Sequence, residues 1–259
     1  MKNYTLSVLS VLNILDFNIR EMGGLVNMGL LDHFHKKNKM YLYTEKELDL
    51  YEHFIIEQFG DFDNVIHEIF SPDIHLDIVI VPPTSQHDYY TLITMGMGAY
   101  PMHIPKELED EELERCELVM YLPSDWKIDS DKEEDYWPIR VCKMLGRLPI
   151  EEKSWLGAGH SMSFDAACTP FADNTKLCSV MLLNALNKDR KVCDLQMERK
   201  GKINFYQLFP LYKEELEFKQ EYGMEELMKL FFKEKFSLVL DIHRKNYGFL
   251  KSRNINLNS

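Results

Sequence analysis

Short runs of β-branched and aromatic residues recur along the chain, and proline or glycine bounds several of them. Such runs are typical of β-strands, because proline removes a ladder hydrogen bond and glycine permits a turn. They predict strands at 64–70, 74–81, 88–95, 117–123, 178–186 and 203–211. A further run at 236–242 predicts an edge strand near the C-terminal end.

Segments with helical periodicity separate these runs. Thr44 and Glu47 form the pattern of a capping box, which predicts a helix over about 45–58. Other helices are expected over 106–116, 133–147, 212–221 and 224–235, with loop at 154–176 and a hairpin or excursion at 187–202. Because strands and helices alternate irregularly, the fold class is α/β (α+β): a single domain with a mixed β-sheet flanked by helices.

Both ends of the chain differ from this pattern. Residues 1–39 are interpreted as an N-terminal extension, and its apolar part lacks the basic start and cleavage site of a signal peptide. Met28 offers a second start, so we hypothesise that residues 1–27 are not natively translated. The domain is expected over 40–235, followed by a C-terminal strand and a loose basic tail over 236–259. No apolar run reaches the ~20 residues of a membrane span.

The charge of the chain excludes one class of partner. Its 259 residues carry a net charge of −12, which is a poor basis for binding nucleic acid. Residues 106–135 hold thirteen acids and four bases, a net charge of −9, and read either as a solvated face or as a docking surface for a basic partner. The candidate contact residues are Glu109, Asp110, Glu111, Glu112, Asp129, Asp131, Glu133 and Glu134.

Candidate chemical sites are weak. The cysteines are odd in number, and none lies in a CxxC pair, so reduced thiols are expected in a cytoplasmic protein; they are Cys116, Cys142, Cys168, Cys178 and Cys193. His75 and Asp77 share one strand face and are interpreted as a structural pair, with a catalytic base or metal ligands as the alternative. Gly96-Met97-Gly98 lacks the context of a phosphate loop and is interpreted as a turn. No catalytic residue, metal or cofactor is predicted.

Several segments, taken in order, resemble the suppressor of fused domain family. They are Val81-Pro82-Pro83-Thr84, TLITMGMGAYPMHIP (91–105), ELVMYLPSDW (117–126), WPIRVCKMLGRLP (137–149), SWLGAGHSM (154–162) and the run 203–231. The resemblance covers about 40–233, and Trp126, Trp155, Gly159 and His160 occupy family-motif positions. It implies that Trp155 fills the core, that Gly159 permits a tight backbone and that His160 ties down the following loop.

The resemblance implies an α/β domain that binds partner proteins. The family restrains a transcription factor in animal Hedgehog signalling, and bacterial members, often encoded beside secreted toxins, are similar in role to immunity proteins. The chain has no room for the second domain of the animal form, so a groove between two domains is not expected. We therefore predict a non-enzymatic, cytoplasmic immunity or antitoxin protein that binds a toxin, with a basic nuclease as the suggested target. The alternatives are a scaffold or regulatory protein, or a hydrolase or metal enzyme using His75, Asp77 or His160.

Overall fold

The computed structural model describes residues 40–249, in which helices and strands alternate irregularly. Its helices are α1 Glu45–Gln58, α2 Glu133–Glu151, α3 Lys213–Tyr222 and α4 Met224–Lys233. Its strands are β1 Asn64–Ile66, β2 Asp77–Val81, β3 Tyr89–Met95, β4 Cys116–Pro123, β5 Ser161–Ser163, β6 Ser179–Asn184, β7 Asp194–Met197 and β8 Gly201–Leu211. The predictions for residues 1–39 and 250–259 lie outside the described residues.

The strands form one mixed sheet, which confirms the predicted fold class. Their order is β1-β2-β3-β4-β8-β6-β5, and β7 pairs with the first half of β8. β4 and β8 run parallel, with Cys116 opposite Asn204, whereas β2, β3 and β4 form an antiparallel series. The charged excursion predicted at 187–202 is the β7–β8 hairpin.

Helices cover both faces of this sheet. On β2, Ile78 and Ile80 pack in the cluster that includes α2, while Val79 and Val81 pack in the cluster that includes α1. A third cluster joins β6 and β8 to α3 and α4. The central strands are therefore buried on both faces, and this is why they read as continuous apolar runs rather than as alternating ones.

Specific side chains account for the start of α1 and for the proline inside α2. Thr44 and Glu47 form the predicted capping box at the start of α1. Pro138 lies inside α2 and has no N–H to give to the carbonyl of Glu134. The side chain of Asn174 donates to that carbonyl instead, with Nδ2 and O separated by 3.0 Å. The proline therefore leaves no unpaired carbonyl at this point.

Four predicted elements differ in the structure, one of them because the loop expected at 154–176 contains the short strand β5, which pairs with β6. The strand expected at 64–70 stops at Ile66, because Glu68 donates its backbone N–H to the Asp77 carboxylate instead of extending the ladder. The helix expected at 106–116 is a 3₁₀ turn over Lys106–Glu111, where like charges stand close together. The strand expected at 236–242 is not formed; its backbone makes a bond from Leu240 to the carbonyl of Tyr121.

The start of the basic tail is held rather than loose. The guanidinium of Arg244 forms two 2.6 Å hydrogen bonds with the buried Glu215 carboxylate of α3. It also lies 4.9 Å from the ring centre of Tyr212. A buried carboxylate needs a cation or several donors, and the composition of the tail alone does not reveal that its arginine supplies one.

Among residues 40–249, no helix combines the length and the apolar character that crossing a bilayer requires.

Candidate functional site

The eight acidic residues predicted to contact a partner lie on two surfaces. Four precede Cys116, where β4 begins, and four follow Pro123, where β4 ends. A strand of eight residues spans about 25 Å, or about three screening lengths at physiological salt. The single acidic face that the sequence suggests is therefore divided into an acidic turn, residues 106–112, and an acidic loop, residues 124–134.

The acidic turn concentrates free carboxylates. All five of its carboxylates are exposed, and three of the predicted contact residues among them take part in no ion pair among the described residues; they are Glu109, Asp110 and Glu111. Glu112 differs, because its carboxylate lies 3.8 Å from Lys202 Nζ and its backbone is left-handed with φ of 51°. Three of the four candidates here are thus available to an external cation.

The acidic loop is more nearly balanced in charge. Lys127 and Lys132 are exposed within or beside it, and Glu133 accepts a 2.7 Å hydrogen bond from Arg140. Trp126 holds the loop against α2, since its Nε1 donates to the backbone carbonyl of Asp135. Asp129, Asp131 and Glu134 remain exposed, but the neighbouring cations weaken their field.

Glu117, counted with the acidic segment, is buried inside the sheet. Its carboxylate accepts hydrogen bonds from the hydroxyls of Tyr43 and Thr94, at 2.9 and 2.5 Å. It also accepts from the backbone N–H groups of Gly96 and Gly98, at 3.0 and 2.9 Å. Burial raises the pKa of Glu117 to about 7, and these donors oppose that rise. The group is structural, because its hydrogen-bonding capacity is used inside the protein.

The same contacts explain Gly96-Met97-Gly98, which is a turn at the end of β3 as predicted. At Gly96 φ is +121°, and a Cβ would lie 1.8 Å from the carbonyl oxygen of His75. At Gly98 a Cβ would lie 2.3 Å from the Tyr43 hydroxyl. The turn does cradle an anion through its N–H groups, but that anion is the carboxylate of the protein's own Glu117.

The segment 154–162 has a structural role, although not the one expected for its tryptophan. Trp155 is half-buried at the rim of the core, with its ring 4.3 Å from that of His160. The tryptophan that fills the core is Trp137, which is fully buried. Gly159 has φ of +87°, and its N–H together with the carbonyl of His160 hydrogen-bonds to Leu182. The loop is thus tied to β6, as the resemblance implies.

His160 itself is buried next to a second titratable group. Burial and the nearby Lys219 lower the pKa of His160, which favours the neutral ring. Lys219 is also buried and donates to the Ser161 hydroxyl at 3.0 Å. Two cavities, around 208–210 and 237–241 and around 173–176, are lined by other residues.

His75 and Asp77 do form a pair, and the structure adds a third residue to it. His75 Nε2 lies 3.1 Å from one carboxylate oxygen of Asp77, and His67 Nδ1 lies 2.9 Å from the other. The sequence analysis missed His67 because the strand predicted at 64–70 ends before it. The sequence signal that could have identified His67 was the presence of a second histidine in the segment that leads into β2.

Four of the five cysteines lack the properties of a catalytic thiol. All five are free, and four of them are buried. Burial raises the pKa of Cys142, Cys178 and Cys193 to about 12, so these groups are thiols rather than nucleophilic thiolates near neutral pH. The geometry defines an α/β domain whose candidate acidic residues lie on its surface and whose buried carboxylate, Glu117, is hydrogen-bonded within the fold.

The family of the chain is shown by a family model. The model described as Suppressor of fused protein (SUFU) matches residues 72–245, which is more than half of the chain. The chain therefore belongs to the suppressor of fused family, as the sequence resemblance predicted. In eukaryotes this family provides protein–protein interaction domains.

Individual proteins show the same likeness more distantly. An uncharacterized protein of Ureaplasma parvum serovar 3 is 24% identical over 213 residues, which cover 80% of this chain and 98% of that protein. A Neisseria gonorrhoeae FA 1090 protein described as a suppressor of fused homologue has a similar fold, with 15% identity, a TM-score of 0.51 and coverage of 77% and 93% of the two chains. The crystal structure of the Sufu–Fu complex shows 14% identity and a TM-score of 0.54, and the match covers 85% of this chain and 98% of that chain.

Proposed function

We propose that this chain is a non-enzymatic intracellular binding protein that neutralises a protein toxin. The acidic turn is the surface that faces the toxin. The observation that carries this proposal is the set of free, exposed carboxylates of Glu109, Asp110 and Glu111 on one short turn. A partner with a basic surface would find these charges unpaired and accessible.

Charge complementarity is the physical reason for suggesting a nuclease-type toxin. A nuclease needs a positive cleft to hold phosphates, and an acidic surface competes for the same cleft. Opposite charge also speeds association by ~10–10³-fold. Speed matters for an immunity protein, because it must bind the toxin before the toxin reaches its substrate.

The acidic turn is favoured over the acidic loop for two reasons. The loop carries Lys127, Lys132 and the Glu133–Arg140 pair, which reduce its net field. The arginine closest to the turn in sequence, Arg115, points inward and donates to the carbonyls of Gly98 and Ala99. The turn contains one exposed cation of its own, Lys106, against five carboxylates, so it keeps most of its negative charge.

A binding role without catalysis is supported by what the structure does with its titratable groups. Glu117 is buried inside the sheet, and His160 does not line either of the two cavities reported above. The His67–His75–Asp77 group lies at the surface, with the His67 side chain 72% exposed, rather than in a deep pocket. Membership of a family that includes a solved complex with a protein partner points the same way.

A second candidate is a scaffold or regulatory protein. The observation that favours it is the Sufu–Fu complex, in which a protein of the same fold is assembled with a partner. This alternative uses the same kind of binding surface, and it differs from the first in that the partner is not toxic.

Growth rescue separates the two. Each gene that flanks this one is expressed in a host alone and together with this chain. We expect one product to arrest growth and this chain to restore it. If no flanking product is toxic, or if toxicity persists beside this chain, toxin neutralisation is contradicted. A flanking product that binds without being toxic would favour the regulatory role.

A further inference from the structure

We propose that His67, His75 and Asp77 form a site for a divalent transition-metal ion of the zinc class. Each residue offers one ligand atom, and these atoms lie within 4.8 Å of one another. The two nitrogen–oxygen distances to Asp77 are 2.9 and 3.1 Å. Around zinc, with bonds of about 2.0–2.1 Å in a tetrahedron, ligand atoms lie about 3.3 Å apart. Binding would draw the three ligand atoms together from separations of up to 4.8 Å, a movement that the exposed His67 side chain can make.

The hydrogen bonds behind His75 fix which nitrogen faces Asp77. Ser71 Oγ lies 2.8 Å from both Glu68 Oε2 and His75 Nδ1, so Ser71 bridges the carboxylate and the ring. Metal-binding histidines are commonly oriented in this way, by a hydrogen bond from the ring nitrogen that does not bind the metal.

This orientation directs Nε2 at the carboxylate, with Nε2 and Asp77 Oδ1 3.1 Å apart. In the tautomer that donates through Nδ1 to Ser71 Oγ, the Nε2 lone pair is available to a metal ion that Asp77 also binds. The second imidazole, that of His67, makes the arrangement suited to a metal.

The surroundings also favour a cation. The Asp77 side chain is 5% exposed, and its Oδ1 accepts the backbone N–H of Glu68 at 2.8 Å, which fixes the carboxylate in place. The carboxylates of Asp77, Glu68 and Asp73 stand in this region, and the guanidinium of Arg147 pairs with the last two of them. The carboxylates therefore outnumber the cation, which favours binding of a positive ion.

The site has an open side. The His67 and His75 side chains are 72% and 43% exposed, so water can complete the coordination, as in sites with three protein ligands. His67 follows β1 and His75 precedes β2, and Ile69 and Phe70 between them are exposed. A bound ion would therefore fasten this loop to the start of β2. This inference is independent of the proposed toxin target.

Zinc titration of chelator-stripped protein tests the site. We expect calorimetry to record a tight binding step that is weakened in His67→Ala by more than about 100-fold, beyond the 10–100-fold typical of losing an outer hydrogen-bond partner. His67 is the chosen ligand because its exposure leaves the fold intact when it is truncated. His53→Ala, which removes an exposed histidine from α1, is the matched control and should retain the step. The chain has nine histidines, so the variants are always compared with the wild type.

Cobalt gives an independent readout, because its visible absorption reports the coordination geometry. We expect an intense tetrahedral or five-coordinate spectrum in the wild type and in His53→Ala, and its loss in His67→Ala and His75→Ala. Equal zinc binding by the wild type and His67→Ala would overturn the proposal. So would nitrogen NMR showing that His75 keeps protons on both ring nitrogens when zinc is added, since a proton alone then occupies the gap.

Discussion

Glu117 and the acidic turn belong to one run of sequence but experience opposite environments. Glu117 is fully buried among four uncharged donors, from Tyr43, Thr94, Gly96 and Gly98. Three carboxylates of the acidic turn, those of residues 109–111, lie a few residues earlier, are exposed and take part in no ion pair among the described residues. The Glu117 carboxylate is stabilised by hydrogen-bond donors that the fold brings together. The carboxylates of the acidic turn remain accessible to solvent and to a partner.

The difference teaches that charge counted along a sequence does not measure charge on a surface. The count of −9 for residues 106–135 includes Glu117, which no partner can reach, and Arg115, which binds carbonyls inside. It also merges two surfaces that β4 keeps apart. The same residue type thus contributes to stability at one position and to recognition at another, and each role can be tested without the other.

The largest expected effect comes from truncating the buried carboxylate. Glu117→Ala leaves four buried donors without an acceptor, and each unsatisfied group costs about 1–3 kcal/mol. Removing a buried charge offsets part of this loss, so the free energy of unfolding should fall by about 3 kcal/mol or more. Urea denaturation measures it. The matched control Glu111→Ala, on the acidic turn, should change stability very little. An equal loss in both variants would contradict the distinction between a buried, structural carboxylate and an exposed one.

The pH dependence of stability comes next in size. The folded-state pKa of Glu117 is about 7, above its ordinary value of 4.5, so between these values the folded protein binds the extra proton. Its contribution is fully present below pH 4.5 and is lost as pH rises through 7, by at most about 3 kcal/mol. Glu117→Gln should remove this slope. Urea denaturation of the wild type and of Glu117→Gln at pH 5 and pH 8 measures this slope. The same change in the free energy of unfolding in both proteins would be inconsistent with a buried titrating carboxylate.

A smaller effect is expected when one hydrogen-bond donor to the Glu117 carboxylate is removed. Tyr43→Phe removes the hydroxyl that lies 2.9 Å from Glu117 Oε1. The free energy of unfolding should fall by about 1.5–3 kcal/mol, the value of a hydrogen bond to a charged group. The pKa of Glu117 should rise further, since that bond favours the carboxylate. A titration midpoint that moves down, or does not move, would show that Tyr43 does not stabilise the ionised form.

The smallest effect on stability is expected for the acidic turn itself. A variant with Glu109→Gln, Asp110→Asn and Glu111→Gln should unfold within about 0.5 kcal/mol of the wild type, because exposed charges contribute little. Thermal and urea denaturation report this directly. A large loss would mean that the turn belongs to the folding core, and its role in recognition would then need another explanation.

Much of the architecture could be predicted from local sequence. The strands β2, β3, β4, β6 and β8 and the helices α1 and α2 carry their own signals, in apolar runs, capping residues and terminating prolines. What could not be predicted depends on contacts between distant segments. Trp137 and Trp155 look alike in sequence, yet only Trp137 is fully buried. Arg244 is held by Glu215, although its segment reads as a free basic tail.

The candidate site was predicted less well, for the same reason. The acidic residues were identified correctly as exposed, but their division between the two ends of β4 follows from the direction of the strand. A signal for Glu117 was present, since it is a lone charge inside the apolar run of β4 beside a glycine-rich turn. His67 joined His75 and Asp77 only because the chain folds back between β1 and β2.

Association kinetics test the central claim, that the acidic turn is the surface that meets a basic protein partner. The toxin found by growth rescue is mixed with the wild type and the triple turn variant at two ionic strengths. A matched acidic-loop variant, Asp129→Asn, Asp131→Asn and Glu134→Gln, carries the same change in charge. We predict that association of the turn variant is slower by about 10-fold at low salt, with weaker salt dependence, while the loop variant stays close to the wild type. Unchanged rates, or equal losses in both variants, would contradict the claim and leave the turn as a solvated face.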